Sequence, residues 1–97
     1  MKVEVSKSAD KDIEKLTESD RLVVLEQLKL LMEAATLGSM GNVEKIKGKK
    51  KPVLYRLKID NYRIMIEKAD TEIDKLLSIH KIIIRSISHR KDAYKKR

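Results

Sequence analysis

Apolar and charged residues alternate at the start of the chain, with Met1, Val3 and Val5 set against Lys2 and Glu4. A period of two belongs to a strand with one buried face. After Ser6 the period lengthens. Ala9, Ile13 and Leu16 recur at helical spacing with Asp and Lys between them, Ser6 or Ser8 is placed to cap, and Asp10 and Asp12 suit the positive helix end. The run "TESD" interrupts this pattern with capping chemistry, Thr17 standing three residues before Asp20 and Ser19 offering another candidate cap. A second helix of about four turns then runs from "RLVVLEQL" to Gly38. Its apolar stripe is Leu22, Leu25, Leu28, Leu31, Met32 and Ala35, expected to cover a sheet. The short link predicts an antiparallel helical hairpin.

Residues 39–52 read as a loop or mixed segment loosened by Gly41 and Gly48. Beyond Pro52 the period returns to two. Val53, Tyr55, Leu57 and Ile59 share one face, and Leu54, Arg56 and Lys58 share the other. Asp60-Asn61 is turn chemistry, and Tyr62, Ile64 and Ile66 then alternate with Arg63, Met65 and Glu67, which predicts a tight hairpin. "KADTEID" reads as a turn, and a last strand covers Leu76 to Ser88. Its "IIIR" run is apolar on both faces, as in a central strand. The expected fold is therefore α+β: an N-terminal strand, a helical hairpin, then an antiparallel three-stranded meander with the helices on one face. The first strand joins the sheet along an edge.

The chain has 97 residues, which fits one domain over residues 1–97. It has no cysteine, so neither a disulfide framework nor a thiolate zinc site is available. No apolar run is long enough to cross a membrane, and "MKVEVSKSADKD" lacks the apolar block of a signal peptide, so a cytoplasmic protein is expected. The net charge of +8 favours a polyanionic partner.

That charge is concentrated late in the chain. Arg56, Lys58, Arg63, Arg85, His89, Arg90 and Tyr94 lie along the strand patterns and the tail. Cations hold phosphates, while His and Tyr move protons, so the set suits a phosphodiester. Lys47, Lys49, Lys50 and Lys51 form a basic loop, either solvated or laid against a nucleic-acid backbone. Glycine-rich phosphate loops, a Ser-centred elbow and metal-ligand spacing of the two His are all missing, and neither a metal nor another cofactor is expected.

Three stretches carry a family resemblance. "SADKDIEKL", "KIKGKKKPVLYRLKIDNYRIMIEK" and "IIIRSISHRKDAYKK" resemble, in order and spacing, the first helix, the paired Tyr-Arg hairpin and the closing strand and tail of the RelE/ParE superfamily of toxin–antitoxin toxins. The resemblance implies the family fold, a cognate antitoxin as protein partner, and ribosomes and messenger RNA as targets. The RelE branch cuts messenger RNA in the ribosomal A site without a metal, the 2′-hydroxyl attacking the adjacent phosphate. On that pattern Lys58 is placed for proton transfer or charge stabilisation and Arg56 for phosphate contact. Arg63, next to Tyr62, matches the family's phosphate-binding Arg; its alternative is an ion pair with Glu67. Arg85 either faces the site or belongs to a structural ion pair. His89 is the titratable candidate near neutral pH, with Arg90 beside it. Tyr94 matches a tail Tyr that stacks on a base or aids proton transfer. Glu67 is the weak match for the Glu base of other branches, and Ser86 and Ser88 stand where some relatives carry Arg. Two other readings are a ParE-like gyrase poison, which would arrest supercoiling and leave messenger RNA intact, and a silent nucleic-acid-binding relative.

Overall fold

The computed structural model describes residues 1–48 and 51–91. Its elements run in the order β1 (Lys2–Val5), α1 (Lys7–Glu14), α2 (Glu18–Glu33), a 3₁₀ turn (Leu37–Ser39), β2 (Val43–Lys45), β3 (Leu54–Ile59), β4 (Tyr62–Lys68), α3 (Glu72–Leu76) and β5 (Lys81–His89). The five strands make one sheet in the order β1-β5-β4-β3-β2. β1 runs parallel to β5 along an edge, and the other pairings are antiparallel. The expected meander is present, and the Ile-rich β5 lies inside the sheet between β1 and β4.

Local chemistry sets the helix ends. Ser6 caps α1, its hydroxyl accepting from Ala9 N, and Thr17 caps α2 by accepting from Asp20 N. Arg21 donates to the Ile13, Glu14 and Leu16 carbonyls, placing a cation on the last turn of α1 and fixing the short link.

One hydrophobic core fills the space between the helices and one sheet face. Ala9, Ile13, Val24, Leu28 and Leu31 meet Leu57, Ile59, Ile64, Ile66, Ile82, Ile84 and Ile87 there. Among the described residues, no helix packs over the other face of the sheet.

Four details differ from the sequence reading. α2 ends at Glu33 rather than Gly38, because the chain turns extended at Ala34 and the 3₁₀ turn then buries Leu37. The buried stripe is Val24, Leu28 and Leu31, while Leu22 is 62%, Leu25 43% and Met32 60% exposed. Polar anchors turn the helix this way: Asp20 accepts from the Tyr62 hydroxyl and Gln27 accepts from Asn42. The 39–52 segment is mixed rather than all loop: it contains β2, which extends the sheet at its far edge. Finally, "KADTEID" is not a plain turn. Thr71 and Asp74 form a reciprocal capping box that starts α3, and β5 begins at Lys81 rather than Leu76.

A bulge in β5 decides which side chains reach the open face. Ile66 pairs with Ile84, but Met65 pairs with Ser86, so Arg85 is an extra residue and alternation reverses beyond it. Ile82 and Ile84 face the core before the bulge, and Ile87 and His89 take that face after it.

Candidate active site

The hairpin places the basic residues. Asp60 adopts a left-handed φ of 46° in the two-residue turn between β3 and β4, a conformation that Asp and Asn accept more readily than most residues. The register then sets Lys58 against Arg63, and Arg56 against Met65, on the open face. Beyond the bulge Ser88 pairs with Arg63 and Ser86 with Met65. Arg56, Arg63, Met65, Ser86, Ile87, Ser88 and Asp12 line a cleft of about 190 Å³.

Arg63 is held by its main-chain neighbours. Its Nη1 donates to the Tyr62 carbonyl at 2.9 Å and to the Asp60 carbonyl at 3.3 Å. Its Nε is buried and has no hydrogen-bond partner among the described residues. A buried donor without an acceptor is costly, and in a cationic cleft it is a ready contact for an anion.

Glu44 of β2 faces the other two cations. It accepts from Arg56 Nη2 at 2.9 Å and lies 3.5 Å from Lys58 Nζ. The Arg56 hydrogen bond, followed by the Lys58 charge, lowers the Glu44 carboxyl below the usual range. Nothing in the sequence reading singled out Glu44. Its signal lies in the ladder, because a strand of three residues puts it directly opposite Arg56.

Arg85 is an ion-pair member. Its Nε lies 3.5 Å from Glu67 Oε1, so Glu67 pairs with Arg85 rather than with Arg63. The structure does not bring His89 into the cleft. The bulge turns it to the helix side, where its ring meets Tyr62 edge-on at 5.6 Å and its Nδ1 accepts from Lys91 N. Arg90 is exposed just after β5, and its main-chain N–H donates to the Asn61 carbonyl. Lys47 is exposed between β2 and β3. Lys51 lines a separate groove with Glu67, Lys68 and Lys75, at the end of the hairpin away from the Asp60 turn. Lys49, Lys50 and Tyr94 lie outside the described residues.

Asp12 is the cleft residue whose place the sequence reading missed. Beyond Val5 the outer edge of β5 has no strand beside it, and α1 runs along that edge instead. Ser6 Oγ donates to the Arg85 carbonyl, and Asp12 Oδ2 accepts from Ile87 N at 2.9 Å.

No family model and no curated protein sequence matches the chain. Solved structures do, two of them from toxin–antitoxin complexes. One is a chain of the archaeal RelE–RelB complex from Pyrococcus horikoshii OT3, at 20% identity and a TM-score of 0.68, covering 92% of this chain and 93% of that one. The other is a chain of the RelB–RelE antitoxin–toxin complex from Methanococcus jannaschii, at 25% identity and a TM-score of 0.68, covering 95% of each chain. Agreement over nearly the whole of both partners concerns the architecture, not a shared fragment. By its fold, this chain is RelE-like.

Proposed function

We propose that the protein is the toxin of a type II toxin–antitoxin pair and a ribosome-dependent messenger-RNA endonuclease. The observation that carries this reading is the open-face cleft, where Arg56 and Arg63 converge beside Ser86 and Ser88 and a buried Arg63 donor awaits an acceptor. Cleavage of RNA by its own 2′-hydroxyl needs fixed positive charge around a phosphate that gains negative charge in the transition state. Arg63 and Arg56 supply it, with Lys58 directly across the ladder from Arg63. Arg90, Lys47 and Lys51 add positive charge for the RNA backbone outside the cleft, and Lys49 and Lys50 add to that charge by sequence. Tyr94 takes the base-stacking role that the family resemblance gives it. Arg85 and His89 serve the scaffold in this reading, one through Glu67 and the other through Tyr62.

The antitoxin is the expected protein partner. The exposed face of α2, with Leu22, Leu25 and Met32 in helical register, offers an apolar seat for an amphipathic helix. A partner with acidic flanks complements the +8 charge.

The test is cleavage of messenger RNA on programmed ribosomes by the purified protein, mapped by primer extension. Cuts within A-site codons that Arg63→Ala abolishes support the reading. Intact messenger RNA with well-folded protein overturns it, and arrested gyrase supercoiling would then favour a ParE-like poison.

A further inference from the structure

We propose that Asp12 is the general base of the cleft, taking the proton from the attacking 2′-hydroxyl; this rests on the endonuclease reading. The proton acceptors on the strands around the basic cluster, Glu44, Glu67 and His89, are engaged elsewhere. Glu44 is bound by Arg56 and Lys58. Glu67 pairs with Arg85, and His89 stands on the opposite face of the sheet. Among the described residues, Asp12 is the one carboxylate that lines the cleft with Arg56, Arg63, Ser86 and Ser88.

Its anchoring suits the task. The Ile87 N–H holds Oδ2 at 2.9 Å, which anchors one end of the carboxylate. Oδ1 has no hydrogen-bond donor among the described residues. The helix that carries Asp12 is itself fixed to the same strand through Ser6 and the Arg85 carbonyl. A base placed this way moves little relative to the phosphate site, as efficient proton transfer requires.

Atoms and electrons balance in the step. The 2′-O–H bond breaks and its proton passes to Asp12. The 2′-oxygen forms a bond to phosphorus while the P–O5′ bond breaks, its electron pair going to the 5′-oxygen. That oxygen takes a proton from the Lys58 ammonium, giving a 2′,3′-cyclic phosphate and a 5′-hydroxyl. Water returns the Asp12 proton to Lys58.

The experiment compares wild type with Asp12→Asn, which keeps an oxygen for the Ile87 N–H but cannot accept the proton. Single-turnover cleavage on programmed ribosomes is measured from acid to neutral pH, together with binding of a short single-stranded RNA. The expected result is a rate loss of about 10²- to 10⁴-fold, RNA binding held or slightly tighter, and disappearance of the acid limb seen in wild type. A variant that cleaves at the wild-type rate overturns the assignment and leaves the endonuclease reading standing. Weakened RNA binding with an unchanged saturated rate also overturns it, since Asp12 would then only steady the arginines. Should the variant misfold, the wild-type profile decides: a rate that does not fall in acid excludes Asp12 as base. A wild type that never cuts overturns both readings together.

Discussion

The hydroxyl of Tyr62 donates a 2.8 Å hydrogen bond to Oδ2 of Asp20, tying β4 to the first turn of α2. This bond, followed by burial and the Asp20 charge, raises the phenol above its ordinary value. A hydrogen bond of this kind contributes about 1 kcal/mol. Tyr62→Phe should therefore lower the melting temperature by about 4–8 °C, measured by circular dichroism. The pH effect has a definite sign. A phenol raised in the folded state contributes stability that is complete below the unfolded value of about 10 and is lost as pH rises through the folded value. Wild type should lose stability faster than Tyr62→Phe in that alkaline window, and parallel curves would rule the bond out as the cause.

Arg63→Ala should abolish cleavage while changing stability by less than about 1 kcal/mol, since its hydrogen bonds reach only neighbouring turn carbonyls. RNA binding should weaken across sequences, and its dependence on salt should fall by roughly one unit of slope. Filter binding over a salt series measures both. An unchanged slope would mean that no phosphate sits at Arg63.

Glu44 competes with any phosphate for Arg56 and Lys58. Glu44→Gln should tighten RNA binding a few-fold at neutral pH. The lowered carboxyl gives a further signature: its ion-pair contribution is present above the unfolded value and lost as acid protonates the folded form. The affinity gap between wild type and variant should close over that same acid range in a binding titration.

Leu22→Glu combined with Met32→Glu should leave the fold intact, because both side chains are largely exposed. Binding to the cognate antitoxin should fall by at least about tenfold if these side chains anchor the interface. Calorimetric titration against the antitoxin tests this, and undiminished affinity would place the antitoxin elsewhere.

Much of the architecture was legible because period and turn chemistry agreed. Asp60-Asn61 marked the hairpin, and "IIIR" marked an interior strand. The face of α2 was misjudged because only apolar residues were considered, whereas Asp20 and Gln27 belong to its sheet-facing side. Within the site, Arg56, Lys58 and Arg63 come from strand alternation alone. His89 does not, because one extra residue at Arg85 reverses the parity of the strand beyond it. Glu44 and Asp12 reach the cluster through pairings between residues distant in sequence, and no local pattern announces those.

The placement of α1 along β5 bears on how the protein behaves in company. A free strand edge is a template on which another chain can add itself. Here the outer half of the longest strand is occupied by Ser6 and Asp12, and the edge strands β1 and β2 are only four and three residues long. An intruding strand finds little backbone to pair with. The side chain that serves the chemistry thus also helps keep neighbouring copies of the chain from joining edge to edge.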